Sequence, residues 1–151
     1  MNIGILSTSS IAPRFIAAVR EEGSFQMTAL SSRTLEKAEE KAKAWNIPKA
    51  YGSHEELLED KDVDIVYISA VNSAHYKWAK AALLAGKHVI CEKPFAPTVA
   101  EADELMALAE EKGKMLGAAP ETNYGAGVST GKKLIEQGAI GKVLTFRTIF
   151  G

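Results

Sequence analysis

Cysteine is nearly absent from this chain: Cys91 is the only one in 151 residues. A single thiol excludes an internal disulfide and any metal centre built from cysteines. The three histidines, His54, His75 and His88, stand far apart with no ligand pattern around them, so no metal is expected. An excess of charge of one sign is also missing. With 18 basic and 19 acidic residues the net charge is -1, which removes the electrostatic footprint of a nucleic-acid or anionic-membrane binder. No apolar run approaches the roughly 20 residues that a membrane-spanning helix needs. The chain opens directly into a strand-like segment, without a basic region and apolar signal core. A cytoplasmic protein, with neither nucleic acid nor membrane among its partners, is the expectation.

What is present is the composition of a soluble globular protein, 46% apolar and 25% charged, at a length that suits one domain with a proper core. Short apolar runs alternate with helical patterns. Asn2 to Ser7 reads as a strand, and Ser9 or Ser10 is expected to cap a helix that carries Pro13 in its first turn and reaches about Glu22. Phe25 to Leu30 is a second strand, followed by a helix from Thr34 to Trp45 and a minimal strand at Ala50-Tyr51. Ser53-His54-Glu55-Glu56 has capping-box form, and Asp64 to Ala70 is the fourth strand. Ser73 is expected to cap the next helix, with Tyr76, Ala79, Leu83 and Leu84 inward and Gly86 as its stop. After a strand ending at Cys91, Thr98 to Glu101 repeats the capping spacing and opens a helix carrying Leu105, Met106, Leu108 and Ala109, closed by Gly113. Met115 to Ala119 is the sixth strand. Six strands alternating with helices predict an α/β fold with a doubly wound parallel sheet in the order 3-2-1-4-5-6.

That domain is expected to cover residues 1–120. Over 121–151, Gly125 and Gly127 are read as loosening the chain, Val128 to Gln137 as a helix stopped by Gly138, and Lys142 to Phe150 as a strand. A half-buried strand with nothing after it to pair with suggests the beginning of a second domain, and its free edge a template for self-association.

Chemistry in an open parallel sheet gathers beyond the carboxyl ends of the strands. Glu92, Lys93 and Pro94 follow the fifth strand at once. A lysine beside the positive ring of a nicotinamide can have its pKa lowered from about 10.4 and handle a hydroxyl proton, while Pro94 stiffens the turn that aims it. The same residues also fit an ordinary surface ion pair. In the first turn, Ser7, Ser9 and Ala12 fill the positions of a G-x-G-x-x-A phosphate loop, with Thr8, Ser10 and Ile11 between them. A serine-rich helix cap is the competing reading. Beyond the second strand Ser31-Ser32-Arg33 supplies no acid for an adenosine 2′-hydroxyl, and Arg33 suits a 2′-phosphate instead, so NADP(H) is favoured over NAD(H). Asn72 offers a donor and an acceptor to a ribose or a loop carbonyl, whereas His75 has the position of a structural or solvated residue.

Together Ser32-Arg33, Tyr51-Gly52-Ser53, Asn72 with His75, Ala85-Gly86-Lys87-His88-Val89, Glu92-Lys93-Pro94 and Ile140-Gly141-Lys142-Val143 closely resemble the Gfo/Idh/MocA family of NAD(P)-dependent oxidoreductases. The resemblance implies that Lys93 is catalytic, that Glu92 lies near the nicotinamide ribose and that Asn72 and His75 border the cofactor. It further implies oxidation or reduction at a carbinol carbon, commonly of a sugar, cyclitol or related polyol. A catalytic histidine and most substrate contacts would come from the second domain, which in this family commonly also forms a homo-oligomer interface. Two departures stand out: Ser7 and Ser9 replace the loop glycines, and Val71 replaces the usual proline before Asn72. A non-catalytic nucleotide-binding or regulatory module with a degenerate phosphate loop is the alternative. Another Rossmann-like enzyme, such as a methyltransferase, would leave Glu92-Lys93-Pro94 without a purpose.

Overall fold

Beginning with Ile3, Ile5 and Leu6, the apolar runs of the chain are stacked into one sheet in a computed structural model that describes residues 1–119 and 126–145. The strands are β1 (Asn2–Leu6), β2 (Gln26–Ser31), β3 (Lys49–Tyr51), β4 (Ile65–Ile68), β5 (His88–Cys91) and β6 (Leu116–Ala118). Between them run α1 (Ala12–Glu22), α2 (Leu35–Ala44), α3 (His54–Glu59), α4 (His75–Leu84) and α5 (Val99–Lys112). All pairings are parallel, in the order β3-β2-β1-β4-β5-β6. The order reverses between β1 and β4, so a crevice opens beyond Leu6 and Ile68.

Both faces of the sheet are covered, which explains why its strands read as continuous apolar runs. On one face Ile3, Ile5 and Leu30 pack with Ala12, Ile16 and Val19 of α1. On the other, Leu6, Val66 and Ile68 meet Leu57 of α3, Ala79 and Leu83 of α4 and Leu105 of α5. Gly4 sits where α3 comes closest: a Cβ there would lie 3.0 Å from Val63 Cγ1 and 3.2 Å from Leu57 Cδ2.

Thr34, Ser53 and Thr98 cap α2, α3 and α5, each accepting from the backbone N–H three residues on. The other expected caps fail. Helix α1 starts after Ile11 with no side-chain cap, and Ser73 lies inside a 3-10 turn, Asn72–Ala74, that runs straight into α4. Leu84, read as inward, faces water (57% exposed), as does Met106 of α5 (52%); Trp78 and Ala82 join Ala79 and Leu83 on the inward face of α4.

Two side-chain networks hold the loop from α3 to β4. Lys87 is buried, and its ammonium donates to the carbonyls of Asp60 and Val63 at 2.7 and 2.8 Å. The Asp60 carboxylate meets Lys49 Nζ at 2.9 Å and accepts from the Tyr51 hydroxyl at 2.9 Å, while Lys49 also reaches Asp62 at 2.7 Å.

The chain divides into two compact units, Met1–Ala119 and Pro120–Gly151. In the second, α6 (Ala126–Glu136) is followed by Gly138 at φ 69°. Gly127 lies within that helix and does not loosen the chain; Gly125 lies outside the described residues. Of the strand expected over 142–150, residues 142–145 are exposed and form no strand, and 146–150 lie outside the described residues. Among the described residues no helix is long and apolar enough to cross a membrane, and no three His, Cys, Asp or Glu side chains are grouped to hold a metal.

Candidate active site

The crevice is shaped first by the turn after β1. Ser7 has φ 88°, a backbone conformation that favours glycine, and its N–H donates to the Ser31 carbonyl at 3.1 Å. The serine thus follows the path a loop glycine would take. The turn closes with the Ala12 N–H on the Ser9 carbonyl. Among the described residues no hydrogen bond occupies the N–H groups of Ser9, Ser10 or Ile11. Open N–H groups at a helix start attract anions. Ala12, fully buried, lets α1 lie close on the sheet.

Next to this turn is a cavity of about 420 Å³, lined by Ser7, Thr8 and Ser9, by Ser69 and Ala70 at the end of β4, and by Ser32 and Arg33 beyond β2. The hydroxyls of Ser9 and Ser69 are buried without a partner. Orphaned hydroxyls of this kind suit a ligand that brings its own acceptors. Lys37, four residues after Arg33, lines the same space, and among the described residues no carboxylate does. The cavity lining therefore carries positive charge beside open N–H donors. These features fit the phosphates of a dinucleotide.

His54 and Trp78 complete the lining. His54 Nδ1 is 2.8 Å from the Ser31 hydroxyl, and its ring meets Trp78 edge-on with centroids 4.9 Å apart. Burial holds the imidazole below its ordinary pKa; Glu55 opposes this, and Lys77 and Arg33 reinforce it. Lys37, His54, Ser69 and Trp78 were not legible as site residues in the sequence. Arg33 stands before the extended N-cap Thr34, outside the helix that carries Lys37, so no helical spacing links the two. His54 reaches Ser31 only because β3 lies beside β2.

A second group gathers at the exits of β4 and β5. The half-buried Glu92 accepts from the Tyr67 hydroxyl at 2.7 Å, and its N–H donates to the Ile68 carbonyl. The Tyr67 ring is stacked on Phe15 of α1, with centroids 3.7 Å apart. Lys93 is exposed, and the Lys93–Pro94 peptide bond is cis. His75 is 1% exposed; its Nδ1 lies 2.8 Å from the Pro94 carbonyl and its Nε2 2.8 Å from the Ala70 carbonyl. The ring ties the β4 exit to the β5 exit. Asn72 is exposed in the 3-10 turn. Cys91 is fully buried, and burial followed by the charge of Glu92 pushes its thiol up to about 12. A thiol held protonated is no nucleophile.

Ser7, Ser9, Ser32 and Arg33 thus share one cavity. Ser10 and Ile11 stand on the turn beside it, while Asn72, His75, Glu92, Lys93 and Pro94 lie at the neighbouring strand exits, outside its lining.

Comparison with known proteins agrees with the fold. The family model described as an oxidoreductase family with an NAD-binding Rossmann fold matches residues 1–119. Trans-1,2-dihydrobenzene-1,2-diol dehydrogenase of Oryctolagus cuniculus is 38% identical over 149 residues, 97% of this chain and 45% of the relative. The Xenopus laevis protein of that name is 38% identical over 98% of this chain and 46% of its own length. Among solved structures, an NAD-binding oxidoreductase from Klebsiella pneumoniae superposes with a TM-score of 0.88 at 32% identity, over 93% of this chain and 40% of that one. A 3-ketoreductase from Actinomadura kijaniata, crystallised with NADP and TDP-benzene, gives 0.85 at 29% identity, over 94% and 44%. The chain spans less than half the length of these relatives.

Proposed function

Because the chain belongs to the Gfo/Idh/MocA family of oxidoreductases, we propose that it forms the dinucleotide-binding part of an enzyme that transfers hydride between NADP(H) and a carbinol carbon. The carrying observation is the cavity shared by Arg33, Lys37 and the loop that leads into the uncapped start of α1, with no carboxylate among its described lining residues.

In this reading the N–H groups of Ser9, Ser10 and Ile11, with the Ser9 hydroxyl, hold the pyrophosphate. Ser32, Arg33 and Lys37 take the 2′-phosphate, where the planar fork of Arg33 suits a phosphate face. Asn72 and Glu92 hold the nicotinamide ribose, Glu92 being oriented by Tyr67. Bound nicotinamide supplies the hydride acceptor or donor. The Lys93 amine takes the hydroxyl proton as the alcohol is oxidised and returns it on reduction. His75 contributes by joining the loops that carry these groups. Relatives named for a diol and a ketone support carbinol–carbonyl chemistry, and a sugar, cyclitol or similar polyol is the substrate class we propose. The substrate-selecting residues would belong to a further domain of the kind the longer relatives have room for.

Titration with NADPH and NADH, followed by nicotinamide fluorescence, tests the reading. Arg33→Ala is expected to weaken NADPH by about tenfold or more, one charge-assisted bond's worth, and to leave NADH unchanged. Binding of neither dinucleotide would favour the non-catalytic module that the serine loop also suits.

A further inference from the structure

We propose that His54 is a third, proton-dependent member of the 2′-phosphate site and adds to its discrimination between NADP(H) and NAD(H). The inference rests on the NADP(H) reading above and adds to it a residue for which the family resemblance gives no role.

Three observations converge. His54 lines the same cavity as Arg33 and Lys37, so an anion that these two attract lies in its field. Its Nδ1 is 2.8 Å from Ser31 Oγ, which in turn lies 3.5 Å from the Ile5 carbonyl. A doubly protonated ring can therefore donate through Nδ1 to Ser31 while Ser31 donates onward to Ile5, leaving the Nε2 proton for a ligand. Finally, the ring lies among charges from neighbouring elements: Arg33 before α2, Lys37 on α2 and Lys77 on α4 are cations, and among the described residues Glu55, the next residue of α3, is the carboxylate acting on it, while β2 offers only the neutral Ser31. Lys77 is engaged with the face of Trp78, 4.3 Å from its centroid. Partial burial, opposed by Glu55 and reinforced by Lys77 and Arg33, disfavours the imidazolium before a ligand binds. A phosphate carrying about -1.5 to -2 charges reverses that balance, so His54 takes up a proton as the ligand enters. NAD(H), without the phosphate, draws no such proton.

The test is isothermal titration calorimetry of the chain with NADPH and with NADH, near pH 7, in buffers of different ionisation enthalpy. It is combined with the pH dependence of both affinities in native protein and in His54→Gln. Expected is a net proton uptake for NADPH exceeding that for NADH, and an NADPH-to-NADH affinity ratio that rises about threefold or more between pH 8 and pH 6. In His54→Gln the excess uptake disappears and the ratio stays flat or falls, because the 2′-phosphate itself begins to protonate near pH 6. Unchanged NADH binding by the variant shows that its pocket is intact; should the variant not fold, the proton count of the native chain decides alone. Tight NADPH binding with no excess uptake overturns the role of His54 and leaves the NADP(H) reading standing. Failure to bind NADPH overturns both.

Discussion

Ser7 shows what a single residue contributes to the crevice. At φ 88° it stands in a region that β-branched side chains scarcely enter. Ser7→Val is therefore expected to lower stability by about 2 kcal/mol, while Ser7→Gly is tolerated, since relief of the backbone offsets the added freedom of the unfolded chain. Urea unfolding midpoints of the two variants check this. Cys91 gives a second expectation at this scale: with its thiol buried and pushed up to about 12, it should resist a disulfide reagent at pH 8 until the chain is unfolded. The residues flanking it were readable because a carboxylate, a lysine and a proline break an apolar run. The conformation of Ser7 was not: sequence shows a missing glycine, but not that the backbone keeps the glycine's path.

Among the elements, helices with a capping residue and strands with apolar continuity were legible, and helix starts without a cap were not. Thr34, Ser53 and Thr98 accept from the backbone as their spacing requires. Ser9, Ser10 and Ser73 have the right chemistry but no such bond: the turn before α1 leaves its N–H groups open at the crevice, and the 3-10 turn before α4 satisfies its own through Val71 and Asn72. Leu84 misleads because apolar residues on helices are not all inward. The stretch from α3 into β4 depends on Lys87. Lys87→Met would take the ammonium from the Val63 carbonyl and leave the Asp60 carbonyl with the Val63 N–H alone, and about 1 to 3 kcal/mol of stability should be lost in chemical denaturation.

For the whole of residues 1–119, sheet order was the most legible property, since six strands with intervening helices leave few right-handed arrangements. What the order brings side by side was not. Ser31 and His54 come together, as do Tyr67 and Glu92, only once β2 lies beside β3 and β4 beside β5. Stability should follow from these contacts as pH changes. The pKa of His54 is lower folded than unfolded, so below about 6.5 the unfolded chain binds more protons and stability falls on acidification. The Asp60 carboxyl, which burial alone would raise, is held down by Lys49, the Asp62 N–H and Tyr51; its contribution is present above about 3.8 and lost as pH falls through the lowered value. Melting temperature should thus decline in two stages from pH 7 to pH 3, and His54→Gln should remove the first.

That no carboxylate among the described residues lines the cavity has a kinetic consequence. A chain with almost no net charge nonetheless presents one local patch that draws polyanions from beyond contact distance, so encounter with a phosphorylated ligand should be fast in dilute buffer. Such attraction fades over about 10 Å at 0.1 M salt and about 3 Å at 1 M. Capture by this cleft is therefore set as much by the ionic strength of its surroundings as by the shape of what it captures.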